Sequence, residues 1–472
     1  MVSLMIILFL IGYACIALEH NLKINKAATA LLLSSLLWTI YIFYAQGGYL
    51  INVEEYIEHC KFAGKDVVDN VLHYVVDVQI IEHVGDVAEI IFFLLGAMTV
   101  VELIDVHGGF SIITNKITTK NKKKLLWTLS IVTFVMSAIL DNLTTTIVMV
   151  MLLRKLIAKQ KERWLFACAI ILAANSGGAF SPIGDVTTIM LWVKGNVTTQ
   201  ALIPNLILPS LVSSLFPIFL ISFSLKGDLE EVVEEQHSSS HHTLKAAEIV
   251  TPFEQKFIFY LGVGCLVFVP IFKSITHLPP FLGILLGLGA LWIYTEMMYG
   301  NKKNIPESSK ARISVVLGRI DFTTILFFLG ILMAVAALQC AGILHDLSIL
   351  LDEKLHNIYL INILIGILSS IVDNVPLVAG AMGMYEVAPA GCAEAMLPYM
   401  QDGTFWLFLT YCAGVGGSIL IIGSAAGVVV MGLEKVDFVW YLKHVSLYAL
   451  IGYLTGAGFF ILQELFLVPM LH

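Results

Sequence analysis

The chain has 472 residues, of which 58% are hydrophobic and only 13% are charged. Soluble domains carry about 25% charged residues, so this composition excludes a soluble enzyme. The formal net charge of −8 also excludes a basic nucleic-acid-binding surface. We therefore expect a protein whose main partner is membrane lipid, and which is neither an enzyme nor a nucleic-acid-binding protein.

Long apolar runs predict membrane-spanning helices, because crossing a bilayer core of about 30 Å takes roughly 20 apolar residues. In chain order the clear runs are 2–18, 27–44, 89–106, 202–225, 255–273, 280–299, 322–340 and 445–468. The first run has no leading positive cluster and no small-residue cleavage site, so we interpret it as a retained span. The predicted fold class is an all-α integral membrane protein.

Four further apolar segments are interrupted near their middle. Segments 125–153 and 358–387 contain Asp141-Asn142 and Asp373-Asn374, while 164–193 and 404–433 contain clusters of small residues and are predicted as broken spans. Cytoplasmic loops are enriched in Lys and Arg. Basic flanks place both ends of 125–153 in the cytoplasm, and acidic flanks place both ends of 358–387 outside. Each is predicted to be a re-entrant hairpin with its Asp-Asn pair at the tip.

An internal repeat relates the two halves of the chain. Residues 137–142 (SAILDN) match 369–374 (SSIVDN), and the glycines at 177, 178 and 184 match those at 416, 417 and 423. Each half is predicted to hold three spans, a hairpin, a broken span and a final span, in opposite orientations. The predicted domains are 1–225 and 255–472, joined by a polar cytoplasmic linker at 226–254. Inverted repeats with interrupted helices are typical of secondary transporters.

Histidines and cysteines give weaker signals. The linker contains His237, His241 and His242, which could bind a metal, but its polar composition favours a solvated cytoplasmic linker. The seven cysteines are scattered without a C-x-x-C pair and predict free thiols, with a bridge between Cys60 and Cys392 as the alternative.

The interruptions are the predicted functional site, because backbone groups that leave the helical pattern cannot be satisfied by lipid. In the first broken span, Ser181 is predicted to cap a helix whose first turn contains Pro182. Asn175, Ser176 and Asp185 add side-chain oxygens, and hard cations such as sodium prefer oxygen ligands. These residues predict a site for a small cation.

Three acids lie inside these segments, at positions 141, 185 and 373. An ionised Asp at the centre of a membrane helix costs about 2.5 to 3.5 kcal/mol on insertion scales. Each must therefore hold a proton, hold a cation or lie against a helix N-terminus. A carboxylate that binds either a proton or a sodium ion, but not both, is the core of an antiporter.

Structural explanations stay open for the same residues. The Asp-Asn pairs could cap the returning arms of their hairpins, and Asp185 could be a dipole-stabilised acid in a first helical turn. Thr144 could bond back to its own helix. An anion carrier for arsenite or an organic acid is the alternative function, since helix N-termini favour anions. Broken inverted repeats fit a channel or a receptor poorly.

Three motifs together resemble the NhaD-type sodium/proton antiporters of the ion transporter superfamily. They are Asp141-Asn142-Leu143-Thr144-Thr145-Thr146, the run from Asn175 to Asp185, and Asp373-Asn374-Val375-Pro376. The resemblance implies a homodimer of the bacterial inner membrane that exports sodium, with lithium as a second candidate, in exchange for protons and without a cofactor. Related divalent-anion symporters carry Ser-Asn-Thr at both hairpin tips, so the acids here argue against a dicarboxylate carrier.

The sequence thus leads to one hypothesis for the site. We expect Asp141, Asp185 and Asp373 to be the carboxylates at which sodium and protons compete. We expect neutral ligands from Asn142, Asn374, Asn175, Ser176, Ser181 and Thr144. The second broken span has no Asp opposite Asp185, so the site is expected to be asymmetric.

Overall fold

Helices make up nearly all of the regular structure of this chain. The structure, a computed structural model, describes residues 2–17, 19–47, 56, 71–117, 119–157, 159–225, 227–229, 249–302, 306, 310–371 and 374–466. Across these ranges there is no β-strand, only two isolated β-bridges. The predicted all-α class is confirmed. Most of the predicted linker 226–254, together with Cys60 and Asp373, lies outside the described residues.

The longer helices are numbered here in chain order. They are α1 (Val2–Ala17), α2 (Lys26–Gln46), α3 (Ile81–Val106), α4 (Lys122–Leu140), α5 (Asn142–Leu156), α6 (Gln160–Ala179), α7 (Val186–Val193), α8 (Thr199–Ser222), α9 (Pro252–Thr276), α10 (Pro280–Gly300), α11 (Phe322–Cys340), α12 (Ile343–Leu355), α13 (Ile358–Leu368), α14 (Asn374–Met384), α15 (Thr404–Gly416), α16 (Ala425–Glu434), α17 (Phe438–His444) and α18 (Ser446–Phe466). Eight helical segments in the described part of the chain are long and apolar enough to cross a membrane.

One predicted span begins much earlier in the structure than in the sequence analysis. The helix expected at 89–106 is continuous from Val71, through a π-helical turn at Val75–Ile80, into α3. Acids among the apolar residues of 71–88 make that stretch unlike lipid-facing sequence, but they do not end a helix, and no proline interrupts it. Hydropathy therefore marked the apolar part of the helix and missed its polar extension.

All four predicted interruptions are present. The first hairpin breaks at the single residue Asp141, between α4 and α5, and the second breaks between Leu368 and Asn374. The broken spans separate into α6 and α7, and into α15 and α16. The opposite entry of the two hairpins into the membrane stays a prediction.

The first compact unit comprises Met1–Phe92, Asp321–Ile361 and Val375–Met400. Within it α2 packs along α11, where the indole Nε1 of Trp38 donates to the Met333 carbonyl at 2.9 Å. Gly330 permits this approach, because a Cβ there would lie 2.6 Å from the Ala30 carbonyl carbon. A small residue at the crossing thus lets two apolar helices meet at backbone distance.

The second compact unit comprises Phe93–Ile320, Asn362–Asn374 and Gln401–His472. Its centre is α6, in which every residue from Phe166 to Ala179 is buried. Helix α4 packs on α6, and α8 packs on α18. Every predicted site residue that the structure describes belongs to this unit. Among the described cysteines, those at 15, 168, 265, 340, 392 and 412 are free thiols.

Candidate functional site

The tip of the first hairpin is a strained acidic residue. Asp141 has φ 105° and ψ 159°, a backbone region that is essentially restricted to glycine. Its carboxylate accepts hydrogen bonds from the Thr144 backbone N–H at 2.7 Å and from the Thr144 hydroxyl at 2.8 Å. Asp141 therefore caps α5, as the structural explanation anticipated, and Thr144 directs its hydroxyl to that cap.

Asn142 connects the hairpin tip to the first broken span. It is the first residue of α5, is 5% exposed, and is not a helix cap. Its Nδ2 donates to Asp185 Oδ2 at 2.5 Å and to Asn175 Oδ1 at 3.1 Å. Asn142 thus donates one amide hydrogen to Asn175 of α6 and the other to Asp185, the N-cap of α7.

Asp185 is buried at the start of α7, with a residue exposure of 1%. Its Oδ1 accepts from the Thr187 backbone N–H at 2.9 Å and from the Thr187 hydroxyl at 2.7 Å. The N-terminal end of α7, with its partial positive charge, thus faces this carboxylate. Asn142 binds the other oxygen, so three neutral donors surround an acid deep in the protein.

The expected cap of α7 was assigned to the wrong residue. Ser181 was predicted to cap a helix with Pro182 in its first turn, but both lie in the turn between α6 and α7, and Asp185 is the cap. The Ser181 hydroxyl instead donates to the Ala138 carbonyl of the first hairpin. That carbonyl lies in the last turn of α4, where helix carbonyls lack intrahelical partners.

Asn175 extends the network to the second broken span. Its Oδ1 accepts from Asn142, and its Nδ2 donates to Ser418 Oγ at 2.9 Å and to Ser424 Oγ at 2.8 Å. Neither serine was among the predicted site residues. Their positions next to the repeated glycines 417 and 423 are the sequence signal that could have identified them.

The remaining predicted residues lie around this network. Ser176 Oγ is 3.1 Å from the hydroxyl of Ser213 on α8, a helix that the sequence analysis left without a site residue. Asn374 opens α14 and is 5% exposed. Asp373 is outside the described residues. The core of the candidate site is therefore the chain of contacts from Asp185 through Asn142 and Asn175, with Asp141 adjacent in sequence to Asn142.

Equivalent packing contacts recur in the two halves. The Ser137 hydroxyl donates to the Ala174 carbonyl at 2.6 Å, and the matching Ser369 hydroxyl donates to the Ala413 carbonyl at 3.3 Å. A Cβ on Gly184 would lie 2.8 Å from the Ser137 carbonyl oxygen, and one on the matching glycine 423 would lie 2.5 Å from that of residue 370. These contacts support the internal repeat.

The donor chemistry of the network suits a hard cation. Among the residues that the structure describes, no group of three or more His, Cys, Asp or Glu side chains could hold a metal ion. A cation at this network would therefore combine neutral oxygens with one or two carboxylates. Amide, hydroxyl and carboxylate oxygens are the ligands that hard cations prefer.

Comparison with known proteins places this arrangement in a family. Residues 6–401 match CitMHS, described as the citrate transporter family. "Sodium/proton antiporter 1" and "Sodium/proton antiporter 2" of Arabidopsis thaliana are 43% and 41% identical, over 96% of this chain and over 71% and 97% of their own lengths. "Na(+)/H(+) antiporter NhaD" of Vibrio cholerae is 30% identical over 96% of this chain and 89% of its own. The resemblance stated from the motifs is confirmed, and the chain belongs to the citrate transporter family together with the NhaD-type sodium/proton antiporters.

Proposed function

We propose that this chain is a secondary active antiporter that exchanges sodium ions, and as a second candidate lithium ions, for protons. The observation that carries the proposal is the buried carboxylate of Asp185, held by Asn142 and Thr187 at the start of α7. These neutral dipoles stabilise an ionised carboxylate without cancelling its charge. Either a proton or a small cation can cancel it, and the two compete for the same oxygens.

This competition gives the coupling of an antiporter. A proton bound to Asp185 must leave before sodium binds, and sodium must leave before the next proton arrives. The Asp141 carboxylate, one residue before Asn142, is a second group at which the exchange can occur. The amide of Asn142, which also binds Asn175, holds the Asp185 carboxylate in place, and Thr144 holds that of Asp141. The chain's own residues thus bind and orient the cation while the transmembrane gradients drive the cycle.

An anion substrate such as citrate is the alternative, because the family description names citrate. Helix N-termini are the usual places at which a protein holds a substrate carboxylate. Here the first turns of α5 and α7 already donate to the carboxylates of Asp141 and Asp185. Two fixed negative charges at these positions would repel an anion, so the geometry favours a cation.

The relatives support a multi-pass membrane protein, but they do not point to a single kind of organism. They come from a plant and from bacteria, and the described residues contain eight helices suited to crossing a membrane. We retain the bacterial inner membrane and a homodimer as proposals from the motif resemblance.

Purified protein in liposomes with an imposed pH gradient tests the proposal. Added sodium should dissipate the gradient, whereas citrate, succinate and arsenite should not. Asp185→Asn should abolish the sodium response, because an amide cannot exchange a proton for a cation. Asp346→Asn, which changes an exposed carboxylate on α12, is the matched control and should retain the response. Dissipation by citrate alone, or full activity of Asp185→Asn, would overturn the proposal.

A further inference from the structure

The two broken spans are tied together at three levels. In the middle, Asn175 of α6 donates to Ser418 and Ser424. At the ends, the exit of α7 contacts the entry of α15, and the exit of α16 contacts the entry of α6. Because the start of each span meets the end of the other, the two broken spans run antiparallel.

The tie at the exit of α7 centres on Asp402. Its carboxylate accepts from the Thr198 backbone N–H at 2.5 Å and from the Thr198 hydroxyl at 2.8 Å. The Asp402 N–H donates to the Asn196 carbonyl at 2.9 Å, and the Gln401 amide donates to the Gly195 carbonyl at 2.7 Å. This end is held by neutral donors around one acid.

The tie at the exit of α16 is ionic, and its acid is buried. The Glu434 side chain is 0% exposed, and its two oxygens accept separately from Arg154 Nε at 2.7 Å and from Arg163 Nε at 2.8 Å. The Glu434 carbonyl accepts from Gln160 Nε2 at 2.8 Å and from Trp164 Nε1 at 3.0 Å. The C-terminal end of α16 is thus fixed by side chains from the end of α5 and the start of α6.

We propose that Glu434 is a positioning residue for the ion site, acting through Ser424, and this inference rests on the proposed function. Helix α16 has ten residues, follows its N-cap Ser424, ends at Glu434 and spans about 15 Å. A helix of this length transmits a displacement of one end to the other. Anchoring Glu434 therefore fixes Ser424 against the Asn175 Nδ2. The Oδ1 of the same Asn175 amide accepts from Asn142.

The chemistry of the anchor explains why its loss would move the helix. A buried carboxylate is stable only when its charge is paired and hydrogen-bonded, and removing one partner leaves an uncompensated charge. Glu434→Gln keeps the shape of the side chain but removes the negative charge that Arg154 and Arg163 both bind. The end of α16 should then shift away from the two arginines, and Ser424 should lose its hydrogen bond from Asn175.

Sodium-driven proton movement in proteoliposomes tests the inference through the split between KM and kcat. Groups that orient metal ligands typically change metal affinity by 10- to 100-fold, so Glu434→Gln should raise the sodium KM about tenfold with kcat nearly unchanged. Hydrogen–deuterium exchange of residues 425–434 should increase in the same variant. Glu162→Gln is the matched control, because Glu162 pairs with Lys122 of α4 at 2.5 Å, and it should change neither quantity.

The outcomes are distinguishable. A variant that loses thermal stability while its sodium KM stays at the wild-type value would overturn the positioning role and leave Glu434 purely structural. Unchanged exchange in residues 425–434 would overturn the anchor itself. If the wild-type protein moves no protons in response to sodium, the proposed function fails, and faster exchange in Glu434→Gln would still support the anchor.

Discussion

At the scale of single residues, the site depends on the donors and acceptors of two asparagines. Asn142 uses both amide hydrogens on Asp185 and Asn175, and Asn175 uses both of its own on Ser418 and Ser424. An acid at either position would lose these donors and add a negative charge. The sequence predicted that Asn142 and Asn175 belong to the site, but their pairing depends on tertiary contacts that no local motif encodes.

Removing the Asn142 amide should damage ion binding beyond its effect on stability. Asn142→Ala removes the hydrogen bonds that the amide donates to Asp185 Oδ2 and Asn175 Oδ1, and the loss of a donor to a buried acceptor costs about 1 to 3 kcal/mol. We expect a lower melting temperature and a sodium KM raised about tenfold or more. Asn362→Ala is the control, since the buried Asn362 donates to the Phe405 carbonyl at 3.2 Å. A similar KM in both variants would contradict the assignment.

The backbone at Asp141 stores strain that can be measured. Asp141→Gly and Asp141→Ala both remove the carboxylate and its cap, so they differ mainly in how well they tolerate φ 105°. Strain of this kind costs about 1 to 3 kcal/mol, which exceeds the roughly 0.5 to 1 kcal/mol that glycine loses through chain entropy. The glycine variant should therefore be the more stable in denaturant unfolding. Equal stability of the two variants would show that the backbone relaxes at this position.

At the scale of helices, hydropathy and helix breakers predicted most of the architecture. The interruptions at Asp141 and in residues 180–185 were predicted from residues that break helices or cost energy in lipid. The cap of α7 was not, because both Ser181 and Asp185 are good cap residues. In the structure the Ser181 hydroxyl donates to the Ala138 carbonyl of the hairpin, and Asp185 accepts from the Thr187 N–H at the start of α7. This tertiary contact of Ser181 is not visible in the local sequence.

Glycines set the distance between each hairpin and its broken span. A Cβ on Gly177 would lie 2.2 Å from the Phe134 carbonyl oxygen, whereas one on Gly432 of α16 meets nothing within 4 Å. Gly177→Ala should lower the free energy of unfolding by about 1 to 3 kcal/mol, because backbone cannot move aside cheaply. Gly432→Ala should be neutral or stabilising by up to about 1 kcal/mol, since alanine favours helix.

A matching glycine in the second half of the chain allows the same test. A Cβ on Gly416 would lie 2.1 Å from the Gly366 carbonyl oxygen, so Gly416→Ala should lose stability as Gly177→Ala does. If only one of the two variants were destabilised, hairpin packing would differ between the halves, contrary to the repeated contacts. Thermal unfolding in detergent, with Gly432→Ala as the reference, measures all three variants under one condition.

At the scale of the whole molecule, sequence and structure contribute different information. The repeat was visible from matched residues, and the antiparallel ties of the broken spans at Asp402 and Glu434 support opposite orientations of the two halves. No sequence pattern marked these ties, because each joins residues more than 200 positions apart. The sides of the membrane, in turn, rest on the distribution of Lys and Arg alone.

Labelling from the two sides of the membrane tests the predicted orientation. In a variant without the seven native cysteines, Lys161→Cys and Glu394→Cys each place one thiol at an exposed position. The basic loop containing Lys161 is predicted in the cytoplasm, and the acidic loop containing Glu394 is predicted outside. An impermeant maleimide should therefore label the first only in inside-out vesicles and the second only in right-side-out vesicles, with both labelled after detergent. Labelling of both from one side would mean that the two hairpins do not enter the membrane from opposite sides.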